Sequence, residues 1–189
     1  MRPKLLIIGH ARHGKDTVCD ILNKEFGFKF TSSSWFCAER VVLPALKSFH
    51  SPTRQADLLE ANHNLYDEVP TYGTAEECFN DRHNWRDLWY DLISDYNRKW
   101  PARLGTEIFE ENDVYCGLRS AREFHALRAS GVLGATVWVD RSKHLPPEPR
   151  SSNTVEPWMA DFVIDNNESL DDLHSWVVNL AYSQGWVNA

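Results

Sequence analysis

Nine consecutive residues near the N-terminus carry the clearest chemistry in this 189-residue chain: Gly9, His10, Ala11, Arg12, His13, Gly14, Lys15, Asp16 and Thr17. Their spacing is G-x-x-x-x-G-K. Two glycines at that separation let the backbone curl until successive N–H groups converge on phosphate oxygens, and a lysine beside the second glycine spans the β and γ phosphates of a nucleoside triphosphate. Residues 9–17 are therefore the candidate nucleotide-binding set. The residue after the lysine, where Ser or Thr usually meets Mg²⁺, is Asp16, and the hydroxyl comes one place later at Thr17. These two are the candidate metal residues. Asp16 has a second reading, as a first-turn acid that complements the helix dipole. His10 and His13 are read as shaping the loop or touching the nucleotide, not as bases.

Such a loop works only between a strand and a helix, and the flanking residues predict both. Lys4–Ile8 is a short β-rich run, and Val18, Ile21, Leu22 and Phe26 recur at helical spacing after the lysine. Residues 28–31 predict a second strand, followed by a turn over Ser32–Ser34 and a helix over 38–49 that Pro44 kinks. From Thr53 to Trp100 the pattern is helical almost throughout. Its best stretch, Trp85, Leu88, Trp89, Leu92, Ile93 and Tyr96, makes one wide apolar face that reads as core or interface, and Pro101 ends it. The second half reads as βαβ twice over. Strands are expected at 114–118, 136–139 and 161–164, and helices at 120–130 and after Ser169, where Ser169 and Asp172 form a capping box. Between them, residues 140–160 are polar and proline-rich without periodicity, a lid or a disordered excursion. Alternating strands and helices imply an α/β, doubly wound, mostly parallel sheet of about five strands.

Composition narrows the function classes. Apolar residues are 42% and charged residues 25%, which is an ordinary globular balance and excludes disordered, collagenous and disulfide-scaffold classes. The length corresponds to one domain, with 50–100 as a helical insert. Twenty Lys and Arg against 27 Asp and Glu give a net charge of -7, which argues against a broad nucleic-acid footprint. Cys19, Cys37, Cys78 and Cys116 form no C-x-x-C pair and read as reduced, buried thiols. The apolar run Leu5–Ile8 is too short for an export signal or a membrane span, so a cytoplasmic location and no membrane partner are expected. Eight tryptophans leave room for a homodimer interface.

The form Gly14-Lys15-Asp16-Thr17 resembles the P-loop of phage-type deoxynucleoside monophosphate kinases. The resemblance extends through Leu118-Arg119-Ser-Ala-Arg122-Glu123-Phe124, through Gly134-Ala-Thr-Val137, and through Ser152-Asn-Thr154, Glu156, Asp161–Asn166 and Ser169-Leu170. It covers residues 1–35 and 101–180, while 50–100 does not align and should determine acceptor choice. The resemblance implies the nucleoside monophosphate kinase version of the P-loop NTPase fold with a short lid, ATP and Mg²⁺ as the donor pair, and host cytoplasm if the protein is phage-encoded. It implies Lys15 on the donor phosphates, Arg119 and Arg122 on the acceptor phosphate, and Arg141 and Arg150 closing from the lid. Ser33 and Ser34 either line the acceptor site or form a plain turn. One departure stands out: the family commonly carries an Asp two residues before the Arg, and that position is Gly117. Asp16, Asp140 or an acid of the helical insert would have to substitute.

Three readings follow. The first is ATP-dependent phosphorylation of a deoxynucleoside 5′-monophosphate. The second is a P-loop kinase for another small acceptor, such as a modified nucleotide or a phosphomevalonate-like compound. The third, suggested by Gly117, is a nucleotide-binding regulatory protein with weakened catalysis.

Overall fold

The computed structural model describes residues 2–49 and 69–188. Two compact units divide the chain, one built from Met1–Ser33 with Trp100–Ala189 and the other from Ser34–Lys99.

The first unit is organised by β1 (Leu5–Ile8), whose four residues are all fully buried. A strand apolar on both faces must be covered on both, and it is. All five strands are parallel, in the order β2-β3-β1-β4-β5, with β2 at Phe30–Ser32, β3 at Val114–Cys116, β4 at Ala135–Asp140 and β5 at Phe162–Asp165. Leu5 and Ile7 face a core made by Val18, Ile21 and Leu22 of α1 (Lys15–Phe26) and by Leu173, Val177 and Ala181 of the C-terminal helix (Leu170–Ser183). Ser169 and Asp172 cap that last helix reciprocally, as their spacing predicts. Against Tyr115 of β3 pack the rings of Phe109 and the helix that carries it, Arg103–Glu111.

β1 is where the strand order reverses. The chain leaves it through α1 toward β2 on one side, and later crosses from β3 to β4 on the other through the helix Ala121–Ser130, which Ser120 caps. Ligands of open α/β sheets bind outside the carboxyl ends of the strands at such a reversal. The ends of β1, β3 and β4 bring the glycine loop, residues 117–119 and residues 140–141 to that place.

Several expectations are corrected. The second strand starts at Phe30 instead of 28, and Ser33 opens a helix (Ser33–Cys37) directly, so Ser32–Ser34 is not a free turn. Pro44 does not kink an α-helix. A π-helical stretch, Ala38–Val42, precedes the helix Leu43–Phe49, with the Leu43 N–H bonded five residues back to Ala38 O. This wider winding comes just before the residue that has no N–H to give. The helical region expected over 53–100 is interrupted: part of it lies outside the described residues, and the rest forms Ala75–Asp81, under a Thr74–Glu77 capping box, and Arg86–Tyr96. On the latter helix only Trp89 of the expected apolar face is buried. Helix Arg103–Glu111 was not expected at all. Residues 140–160 are a structured loop, not a disordered excursion, and contain one short 3₁₀ turn at Pro157–Met159. All four cysteines are buried free thiols.

Candidate active site

The glycine loop is held in shape from behind. Gly14, the residue before α1, has φ +96°, and a Cβ built there would lie 2.3 Å from the Asn166 amide nitrogen. That amide donates to His13 O at 2.9 Å, and Asn166 is itself buried. Glycine is thus required twice over, by the backbone conformation and by the close approach of the side chain that anchors the loop. Asn166 follows β5 directly, so the last strand of the sheet fixes the first loop.

His13 is completely buried. Its Nδ1 accepts the Arg141 N–H at 3.0 Å, which places the proton of the neutral ring on Nε2, a buried atom without a hydrogen-bond partner. His10 Nδ1 accepts the Glu148 N–H at 3.2 Å, and the two imidazoles meet edge to face with centroids 5.3 Å apart. Burial pushes the pKa of both rings below the usual histidine value; at His13 the neighbouring His10 pushes the same way. Through these bonds both imidazoles tie the glycine loop to the segment after β4.

Lys15 is nearly buried, and its Nζ donates to His10 O at 2.6 Å, folded against its own loop. Burial lowers its pKa, and the Arg119 charge acts in the same direction. Arg119 lies in the loop after β3. Its guanidinium pairs with the Glu148 carboxylate through Oε1, while Glu148 Oε2 accepts the Ala11 N–H at 2.6 Å. One carboxylate therefore bridges the glycine loop and Arg119. Burial works against the charge of Glu148, but the Arg119 guanidinium, the Ala11 N–H and Lys15 outweigh it and hold the carboxyl below the usual glutamate value.

Gly117 has φ +87°, a conformation that side-chain-bearing residues rarely adopt, and a Cβ there would lie 3.8 Å from Lys15 Cε. A side chain at this position would lie beside Lys15. Of the acids weighed as substitutes, Asp16 turns toward this strand end, where its Oδ1 accepts the Cys116 thiol at 3.4 Å. Asp140 is spent on its own turn, with oxygens accepting Ser142 N–H and Oγ–H at 3.1 and 3.0 Å. Ser33 Oγ donates to Gly117 O at 3.0 Å. Ser34 is the second residue of the helix Ser33–Cys37, in the other unit. Thr17 is half-buried in the first turn of α1.

The remaining arginines divide. Arg141 is half-buried at the end of β4, and its backbone N–H holds His13. Arg122 is exposed in the first turn of Ala121–Ser130. Arg150 faces solvent and pairs with Glu156 at 3.1 Å, so the structure does not bring it to the glycine loop. Glu148 and Asn166 hold the glycine loop by hydrogen bonds, and sequence reasoning missed both. A signal existed for the first: Pro146-Pro147-Glu148-Pro149 fixes an acid between prolines in the middle of a proposed lid.

Among the described residues no cluster of three or more His, Cys, Asp or Glu side chains is placed to hold a metal ion by itself. Mg²⁺ carried on nucleotide phosphates needs only one or two protein oxygens, and Asp16 and Thr17 fit that limited demand. Beside the loop lies a cavity of about 330 Å³ walled by His10, His13, Trp138, Pro157 and Val163. No helix among the described residues is long and apolar enough to cross a membrane.

No protein-family model matches the chain, and no curated protein matches it. Among solved structures it is similar to a dephospho-CoA kinase from Campylobacter jejuni, with 15% identity, TM-score 0.47, and 97% of this chain and 98% of that one covered. It is also similar to a gluconokinase from Sinorhizobium meliloti, at 15% identity and TM-score 0.41, covering 98% and 97% of the two chains. A sugar kinase from a Janibacter species matches at 15% identity and TM-score 0.40 over the whole of both chains. The fold rests on its own geometry: five parallel strands in the order 2-3-1-4-5, with a G-x-x-x-x-G-K loop joining the central strand to a helix, make this a P-loop α/β fold.

Proposed function

We propose that the protein transfers the γ-phosphoryl group of ATP to the 5′-phosphate of a deoxynucleoside monophosphate. The observation that carries this reading is the bridge made by Glu148: the Ala11 N–H of the glycine loop and the Arg119 guanidinium meet the two oxygens of one carboxylate. A donor-phosphate loop and an anion-binding arginine thus face the same point, which puts both beside the phosphates between which the group would pass. Phosphoryl transfer asks the protein for positioning and charge neutralisation more than for covalent chemistry. Lys15 and the loop amides hold the donor phosphates, and Arg119 orients the acceptor, since a guanidinium grips two oxygens of a phosphate at once. Asp16 and Thr17 are the residues that would hold Mg²⁺, which would supply neutralisation of charge on the phosphates.

ADP release measured with a panel of deoxynucleoside monophosphates, against Lys15→Met as the inactive control, tests the proposal. ADP formation that depends on one or more of these acceptors supports it. ADP formation only with other phosphorylated alcohols moves the acceptor class. ATP binding with no ADP from any acceptor refutes phosphoryl transfer and leaves the regulatory reading, which the neutral strand end at Gly117 favours.

A further inference from the structure

The Glu148 carboxylate is doing what a phosphoryl group would do. Oε2 takes the Ala11 N–H of the glycine loop at 2.6 Å, and Oε1 takes the Arg119 guanidinium. Its backbone N–H closes the contact by donating to His10 Nδ1 at 3.2 Å. The segment that carries it is fixed at several points. Arg141 N–H is held by His13, Thr154 N–H donates to Arg119 O at 2.9 Å, and Thr154 Oγ1 accepts the Ala121 N–H at 2.8 Å. Pro147 and Pro149 restrict the backbone on both sides of Glu148. An acid presented on so stiff a tip loses little conformational freedom when it docks, so even two charge-assisted bonds hold it well. Lys15, meanwhile, is engaged with His10 O and not with the carboxylate.

We propose that Glu148 is a built-in competitor of phosphate: its two carboxylate oxygens occupy the Ala11 N–H of the donor-phosphate loop and the Arg119 guanidinium of the acceptor side, so that phosphate binding at the loop proceeds by displacement of Glu148 and of the loop tip that carries it. A phosphoryl group has the advantage in that exchange, because it brings more charge and a third oxygen, for which Lys15 is within reach once it turns from His10 O. The device sets a threshold: weakly charged oxyanions fail to displace the carboxylate, while polyphosphates succeed. It rests on the reading of residues 9–17 as a phosphate site, but not on which acceptor the enzyme uses.

Inorganic pyrophosphate, titrated calorimetrically into the full chain, is the probe. Glu148→Gln keeps the side-chain shape and removes the charge, and Glu148→Ala removes the competing group altogether. Glu168→Gln makes the same change in net charge at an exposed residue of the same unit, where the partner is Lys143. Both Glu148 variants are expected to bind pyrophosphate about tenfold more tightly than the parent, and Glu168→Gln is expected to match the parent. Unchanged or weaker binding by both Glu148 variants overturns the proposal, as does equal tightening by Glu168→Gln or no pyrophosphate binding by any folded variant. The two readings fail separately. An acceptor panel that yields no ADP while Glu148→Gln still tightens pyrophosphate removes the kinase reading alone. ADP formation with pyrophosphate affinity indifferent to residue 148 removes the competitor alone.

Discussion

Gly14 and Asn166 provide a quantitative test of how the glycine loop is held. Gly14→Ala places a methyl group 2.3 Å from the Asn166 amide nitrogen, a distance that cannot persist, so the amide must withdraw and its bond to His13 O is lost. The substitution therefore carries two costs. A φ of +96° disfavours alanine by about 1–2 kcal/mol. Leaving the buried His13 carbonyl without its donor costs about 1–3 kcal/mol. Asn166→Ala carries only the second cost. In the double variant the bond is already gone and the methyl group meets nothing, so only the backbone strain is added. The double variant should then be about as stable as Gly14→Ala alone, and the cycle should show a coupling of about 1–3 kcal/mol between the sites. Urea unfolding followed by circular dichroism measures all three. Strictly additive losses would refute the reasoning, because they would mean that Asn166 does not respond to a side chain at residue 14.

Three further outcomes follow from the site. Arg119→Lys keeps the charge and loses the two-pronged grip, so acceptor KM should rise and kcat/KM fall about tenfold or more, near 1.4 kcal/mol, with ATP affinity little changed; steady-state kinetics that show lost ATP affinity instead would assign Arg119 to the donor. Asp16→Asn should weaken Mg²⁺ dependence and turnover more than ATP binding, whereas a stability loss of about 0.3–1 kcal/mol with normal turnover in a Mg²⁺ titration would leave Asp16 only a role at the helix dipole. Glu123 is buried with Oε1 accepting the Tyr115 hydroxyl at 3.0 Å, and burial pushes its pKa from 4.5 up to about 7. Below pH 4.5 folded and unfolded chains both hold that proton; between 4.5 and 7 only the folded chain does, so stability from this group should fall as pH rises, by up to about 3 kcal/mol, and level off above 7. Melts of the parent and Glu123→Gln across that range should diverge accordingly, and parallel curves would exclude the effect.

What could be read from the sequence was whatever short-range chemistry determines. The glycine loop, α1 and the Ser169–Asp172 cap each depend on residues a few places apart, and each appears where the spacing puts it. Helix Arg103–Glu111 escaped because it is nine residues long, starts just after Pro101 and has no side-chain cap, leaving only Leu104, Ile108 and Phe109 to mark its buried face. The segment after β2 was misread because three serines favour turns by local hydrogen bonding, a preference overridden once Phe36, Cys37 and Ala38 are buried behind them. Glu148 and Asn166 were beyond local reading for a plainer reason. Their partners on the glycine loop lie 137 and 153 residues away, and nothing in their own neighbourhoods names those partners.

The same separation explains how the site manages without an acid at the end of β3. Lys15 and Arg119 place two positive charges near one point; burial chiefly lowers the Lys15 pKa, and the Arg119 charge acts in the same direction. A side chain at Gly117, the residue after β3, would come beside Lys15, on a backbone with φ +87° that side-chain-bearing residues rarely adopt. The negative charge arrives instead from two other parts of the chain: Asp16 from α1, turned to the Cys116 thiol, and Glu148 from the loop after β4, set between the glycine loop and Arg119. An acid on a separate loop can leave, so its charge neutralises Arg119 before the ligand arrives and is absent from the contact afterwards.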